Sequence, residues 1–149
     1  MHAFAKITLF FCAGAILVTA HKSRVSELNG IGRSMPITML AFLLAALSII
    51  GLPPLGGSWS KWLLLQATMD AHNSILLIVL LLSSLLNMFY LLTIPLRAFF
   101  AAPADAAYTQ GVREAPMFSL VAILITTAGC LLLFLMVNPL WNLAESIVR

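Results

Sequence analysis

Three side chains that can carry a proton lie within long apolar stretches of this chain. Lys61 follows a run rich in glycine and proline and is flanked by Trp59 and Trp62. His2 and Lys6 are four residues apart, so a helix would place both on one face. Histidine exchanges protons near neutral pH, and an amine does so when it is withdrawn from bulk water. These residue types favour proton transfer along a hydrated channel.

The same side chains also have simpler interpretations. Lysine can extend its ammonium to the lipid headgroups while its stem stays in the apolar region. Trp59 and Trp62 would then form part of an interfacial aromatic belt. From the residues alone, both interpretations of Lys61 stay open. For Lys6, which lies near the N-terminus with His2, an interfacial position is favoured.

The composition indicates a membrane protein. The chain of 149 residues is 62% hydrophobic and 9% charged, against about 25% charged residues in soluble domains. Soluble enzymes, secreted disulfide scaffolds and disordered tails are therefore excluded. The basic residues are scattered singly along the chain, so no nucleic-acid partner is expected. Cys12 and Cys130 lie in apolar runs, where buried thiols are expected in place of a disulfide or metal ligands.

Four apolar stretches can each supply the roughly 20 residues that a membrane helix needs. They cover residues 3–20, 34–60, 71–96 and 115–144. We predict an all-α, polytopic membrane protein with about four spans in a single transmembrane domain, residues 1–149. The spans are expected at about 2–20, 36–70, 74–96 and 115–137. They would be in contact with the lipid bilayer.

The second span is predicted to be discontinuous. Arg33 and Asp70 enclose 36 residues, which as one helix would measure about 54 Å against a hydrocarbon core of about 30 Å. Prolines and glycines stop a helix in the middle of this segment, at Gly51, Pro53, Pro54, Gly56 and Gly57. We expect half-helices at 36–50 and 58–70 with a break at 51–57. Such breaks occur at ion sites of transporters.

Loop charges predict the orientation. The loop before residue 36 carries Lys22, Arg24 and Arg33, and the loop after residue 96 carries Arg97 and Arg113. On the opposite side, the turn and the C-terminal tail contain one basic residue, Arg149. By the positive-inside rule both basic loops face the cytoplasm, or the matrix or stroma of an organelle. Both termini are then on the outer side, most simply of a bacterial inner membrane.

Four short motifs resemble the antiporter-like membrane subunits of respiratory complex I and of multisubunit cation/proton antiporters. The first is similar to the helix His-Ala-x-x-Lys-Ala-x-Leu-Phe, and the second to the loop Leu-x-Gly-Leu-x-x-x-Met-Pro. The third and fourth resemble the family's helix break and the Gly-Phe-x-Ser-Lys start of its second half-helix. In this chain they are His2–Ile16, Leu28–Pro36, Leu47–Pro54 and Gly57–Trp62. Residues 74–149 match in hydropathy and span number.

The resemblance implies roles for the three proton-carrying side chains. Lys61 falls on the lysine that the family's broken helix contributes to a hydrated half-channel. Lys6 and His2 fall on a lysine and a histidine that relay protons along the polar axis of the membrane. Trp62 directly after Lys61 resembles the D-type antiporter subunit. A signal peptide with Lys6 as its basic segment is disfavoured, because Lys6 matches the relay.

The implied function is proton translocation, within a complex I-like NADH:quinone oxidoreductase or a multisubunit Na⁺/H⁺ antiporter. Partners would be other membrane subunits and protons, with Na⁺ as a second candidate ion. The chain contains no flavin, haem or iron–sulfur motif, so no cofactor is expected. Metal-ligand spacing and a Gly-x-Ser-x-Gly motif are also missing from the sequence, which disfavours an integral membrane enzyme.

The sequence also departs from the family. The family's first inverted repeat, with its glutamate–lysine pair, has no counterpart in the 149 residues, and the chain starts one residue before His2. We therefore expect a fragment or one half of a split gene, with the N-terminal half as a further partner. The alternative function is a membrane scaffold or assembly subunit that transports no ions of its own.

Overall fold

The computed structural model describes residues 2–105, 108 and 111–148, and within these ranges the chain forms helices and no strand. Arg149 of the predicted outer tail lies outside them. Two short 3₁₀ turns, Val25–Leu28 and Ile31–Arg33, connect the first two helices. The predicted all-α class is confirmed. The helices are α1 (His2–Ala20), α2 (Pro36–Ile50), α3 (Gly57–Asp70), α4 (Ser74–Phe100), α5 (Met117–Leu135) and α6 (Val137–Val148).

Helix lengths agree with a polytopic membrane protein that has one discontinuous span. Among the described helices, α1, α4 and α5 are long and apolar enough to cross a membrane. Helix α2 is apolar but has 15 residues, and α3 has 14. Each is about 22 Å long at 1.5 Å per residue, shorter than a hydrocarbon core of about 30 Å. The predicted second span therefore consists of two short helices.

Helix α2 lies at the centre of the fold, in contact with α1, α4 and α5. Its small residues Ala41, Ala45 and Ala46 are buried. Small side chains let membrane helices approach closely. Met39 and Phe42, also buried, fill the space between the helices. Most other faces of the long helices are apolar and exposed, as expected of surfaces that meet lipid or partner subunits.

A carboxylate from a distant loop caps the N-terminus of α2. The first backbone N–H groups of a helix have no partner within the helix. Glu114 accepts hydrogen bonds from the Ile37 backbone N–H at 2.6 Å and from the Thr38 hydroxyl at 2.7 Å. The negative charge also suits the positive end of the helix dipole. This contact fixes the loop before α5 to the start of α2.

The break between α2 and α3 is shaped by glycines. Helix α2 is followed directly by Gly51, whose φ of 90° is a left-handed conformation that glycine adopts without strain. Helix α3 begins at Gly57, so the non-helical segment covers residues 51–56. A Cβ atom on Gly57 would lie 1.7 Å from the backbone oxygen of Ser48. The start of α3 can therefore approach α2 only because residue 57 has no side chain.

The two basic loops pack against each other on one side of the helices. The Arg113 N–H donates to the Ser34 carbonyl at 2.8 Å. Lys22 forms an ion pair with Asp105 at 3.5 Å. The Tyr108 hydroxyl donates to the carbonyl of Glu27 at 3.1 Å, and burial raises the pKa of this phenol. These contacts place both loops on the same face of the bundle.

The last apolar stretch, residues 115–144, is divided between two helices. Helix α5 ends at Leu135, and α6 begins at Val137 after Met136. Pro139 explains the interruption. Proline has no N–H to donate to the carbonyl four residues earlier, and its ring clashes with that carbonyl, which here is that of Leu135, the last residue of α5. Proline is tolerated in the first turn of a new helix, where α6 has it.

The close approach at Gly57 generates a prediction. Gly57→Ala should destabilise the chain by about 1–3 kcal/mol or more, because the new methyl group overlaps a backbone oxygen that cannot move freely. Thermal unfolding can be followed with a maleimide dye that fluoresces on reaction with Cys12 and Cys130, which are buried free thiols in the fold.

Gly14→Ala is the matched control. A Cβ atom on Gly14 would meet nothing within 4 Å, and alanine is the better helix former by about 1 kcal/mol. This variant should unfold at or above the wild-type temperature. Equal unfolding temperatures for the two variants would contradict the close approach of α3 to α2.

Candidate functional site

The side chain of Lys61 reaches back from α3 across the helix break. Its Nζ donates to the backbone oxygen of Ile50 at 2.8 Å and to the Ser84 hydroxyl on α4 at 2.8 Å. Ile50 is the last residue of α2, and the final carbonyls of a helix lack partners within it. They also form the negative end of the helix dipole. The half-buried ammonium of Lys61 is therefore stabilised by the end of α2.

Gly51 shapes the turn and also leaves room for Lys61. The N–H groups of Gly51 and Leu52 both donate to the Leu47 carbonyl, at 3.0 and 3.1 Å. A Cβ atom on Gly51 would lie 2.6 Å from Cδ of Lys61. A larger residue would strain the turn and displace the lysine stem.

The rest of the break is held by α5. The Gly56 N–H donates to the Cys130 carbonyl at 3.0 Å. Leu55 is fully buried, whereas Pro53 and Pro54 are exposed. The predicted break residues thus divide into a turn at Gly51, an exposed proline pair and a segment fixed to α5.

A cleft of about 600 Å³ brings together the three side chains that the sequence singled out. His2 and Lys6 enter it from α1 and Lys61 from α3, and α4 adds Asn87 and Tyr90. The remaining lining is apolar. The full set is His2, Lys6, Leu9, Phe10, Ala13, Phe42, Ile49, Lys61, Asn87, Tyr90 and Leu91. A cleft of this size with several polar groups has room for water.

A second cavity, of about 500 Å³, lies at the break and is also lined by Lys61. Its walls are largely aromatic, with Trp59, Trp62 and Phe134. The rings of Trp59 and Phe134 pack with centroids 5.8 Å apart. Lys61 therefore borders both a polar cleft and an aromatic cavity. Across the residues that the structure describes, no three His, Cys, Asp or Glu side chains are grouped to hold a metal ion.

The polar residues of α4 are not among the predicted site residues. Ser84, Asn87 and Tyr90 follow each other at three-residue intervals in a predicted apolar span. Their spacing would have indicated one polar helical face. Glu114 is not among the predicted site residues either, because its capping role depends on a contact with Thr38, which is distant in sequence.

Comparisons with known proteins show which proteins this chain is similar to. The profile of the family described as "NADH:quinone oxidoreductase/Mrp antiporter, TM" matches residues 1–87. NADH-quinone oxidoreductase subunit N of Desulforudis audaxviator is 38% identical over 142 residues, covering 89% of this chain and 28% of that protein. NADH-quinone oxidoreductase subunit 14 of Thermus thermophilus is 36% identical over 129 residues, covering 85% of this chain and 29% of that protein.

Solved structures share the fold. A chain of the Mrp complex from a Dietzia species superposes with a TM-score of 0.81 at 22% identity, over 93% of this chain and 34% of that chain. A chain of respiratory complex I from Thermus thermophilus with bound aureothin gives 0.66 at 27% identity, over 91% of this chain and 32% of that chain. The 149 residues thus span about a third of the length of these proteins.

The contact between Gly51 and Lys61 generates a prediction. Gly51→Ala should displace the Lys61 side chain from the Ile50 carbonyl, and so make the amine more reactive. Labelling with an apolar amine-reactive ester, quantified at Lys61 by mass spectrometry, should be several-fold faster than in wild type. Gly111→Ala is the control, since Gly111 also has a positive φ but nothing within 4 Å of an added Cβ. Equal Lys61 labelling in both variants would refute the contact.

Proposed function

Because the chain belongs to the NADH:quinone oxidoreductase/Mrp antiporter membrane family, whose profile matches residues 1–87, we propose that it is part of a proton-translocating, antiporter-like subunit. Lys61, Lys6 and His2 would carry the proton. Lys61 would act as the switching group at the helix break, and Lys6 and His2 as the relay across the cleft.

The observation that carries this proposal is the position of Lys61. Its ammonium lies at the broken end of α2 and borders the cleft that also contains Lys6 and His2. An ionisable group inside a span is costly and usually faces a cavity or the interior of a helix bundle. A lysine that extended to the headgroups would not bind the Ile50 carbonyl.

The surrounding complex is part of the same proposal. The relatives include subunits of NADH-quinone oxidoreductases, and a chain of the Mrp complex shares the fold. We infer that other membrane subunits pack on the exposed faces, and that a further segment of the same family supplies the remainder of the fold. Protons are the proposed substrate, with Na⁺ as the counter-ion if the complex is an antiporter.

The orientation follows from the loop charges. Five basic residues occupy the two loops that pack together, namely Lys22, Arg24, Arg33, Arg97 and Arg113. We propose that this face is cytoplasmic, by the positive-inside rule. The chain would then lie in a bacterial inner membrane with both termini on the outer side.

Replacing the amine by a guanidinium tests the function. Lys61→Arg should reduce proton transport to the background rate, because guanidinium stays protonated and cannot release a proton. Lys61→Ala should give the same result. Transport is measured as quenching of a pH-sensitive dye in inverted membrane vesicles, and assembly is checked on native gels. Energising the vesicles with NADH or with added NaCl distinguishes an oxidoreductase from an antiporter.

Lys22→Arg is the matched control, because Lys22 lies in a loop and forms an ion pair that arginine can also make. It should transport at the wild-type rate. The scaffold alternative predicts that the assembled Lys61→Arg complex also transports normally, and this outcome would refute the proposed function.

A further inference from the structure

Helix α4 has a row of three polar side chains on one side of a largely apolar span. It has 27 residues and is therefore about 40 Å long. Ser84, Asn87 and Tyr90 follow each other at three-residue intervals around its midpoint, a spacing that puts them on one side of the helix. Polar groups at membrane depth are costly unless they are hydrogen-bonded. Their position on one face thus calls for a partner other than lipid.

Each of these side chains does have a polar partner. The Ser84 hydroxyl accepts a hydrogen bond from Lys61 Nζ at 2.8 Å. The Tyr90 hydroxyl donates to Asn87 Oδ1 at 2.5 Å. Asn87 and Tyr90 line the cleft that holds Lys61 and Lys6. The polar face therefore begins at the ammonium of Lys61 and continues along the wall of the cleft.

We propose that this face of α4 forms the path between Lys61 and Lys6, with Ser84 as a positioning residue. The proposal rests on the proposed function and adds the route. Ser84 holds the ammonium at the cleft. The amide N–H₂ of Asn87 and the phenol oxygen of Tyr90 order water in the space between the two lysines.

The proton balance of this step is simple. The ammonium of Lys61 releases one proton to the nearest water and becomes a neutral amine. The proton moves by successive transfer between waters, and the neutral amine of Lys6 takes up one proton and becomes an ammonium. The Tyr90 oxygen accepts a hydrogen bond from one of these waters while its O–H stays directed at Asn87 Oδ1, so Tyr90 is unchanged after the step.

Single-atom changes test the route in vesicles of the assembled complex. Ser84→Ala and Tyr90→Phe each remove one hydroxyl and keep the rest of the side chain. Each should lower the initial rate of proton transport at least about fivefold, as expected for loss of a hydrogen bond in a charged network. Ser84→Ala should also shift the pH at which transport is half-maximal, and Ser84→Thr should restore the wild-type profile.

Two control variants remove the same groups elsewhere. Ser83→Ala changes the neighbouring exposed serine, and Tyr108→Phe removes a hydroxyl that binds the Glu27 carbonyl in the loops. Both should transport at the wild-type rate. If Ser84→Ala fails to assemble, Tyr90→Phe decides the test, because it keeps the aromatic ring.

The outcomes separate the route from the function. If Lys61→Arg is inactive while Ser84→Ala and Tyr90→Phe keep the wild-type rate and pH profile, the route is overturned and the proposed function stands. If Lys61→Arg transports normally, both are overturned. A slow rate with a shifted pH profile in Ser84→Ala, together with normal controls, supports the route.

Discussion

The hydrogen bond from the Lys61 ammonium to the Ile50 carbonyl is the contact on which the rest of the site depends. A helix that stops at membrane depth leaves backbone carbonyls without partners, and each such group costs several kcal/mol in lipid. A charged amine at that depth is also costly. Here the Lys61 ammonium donates a hydrogen bond to the Ile50 carbonyl at 2.8 Å, so each group provides the partner that the other requires. The break and the lysine are therefore explained together. Without Lys61, the Ile50 carbonyl would lose its charged partner. With a continuous helix, the Lys61 ammonium would lose the free carbonyl that it binds.

The neighbouring helices are arranged around this contact. Gly51 and Gly57 allow α3 to fold back against α2, because neither position has room for a side chain. Cys130 of α5 supplies a carbonyl to the break, and Ser84 of α4 gives Lys61 a second partner. Helix α1 closes the cleft with Lys6. At the other end of α2, the packed basic loops and the Glu114 carboxylate fix its start.

Much of this fold was predictable from the sequence because each feature has a local cause. Apolar stretches of about 20 residues indicate membrane helices, and the prolines and glycines at residues 51–57 indicate the break. The helical spacing of His2 and Lys6 predicted a shared face. The resemblance to the family directed attention to Lys61, and the family itself is established by the profile match.

Other features depend on contacts between distant residues, which no local pattern encodes. The partners of Lys61 are a backbone oxygen at residue 50 and a hydroxyl at residue 84. The cap of α2 by Glu114 joins segments more than 70 residues apart. The separation of α5 from α6 was missed although its signal, Pro139, is local. The roles of Lys61, Lys6 and His2 in transport stay predictions.

Solid-state NMR of the isotope-labelled chain in bilayers tests the central contact most directly. The ¹⁵Nζ signal of Lys61 should correlate with the carbonyl ¹³C of Ile50, because the nitrogen and oxygen are 2.8 Å apart. The same signal should exchange magnetisation with water in the cleft. A correlation of Lys61 Nζ with lipid ³¹P, and none with Ile50, would place the ammonium at the headgroups and contradict this account.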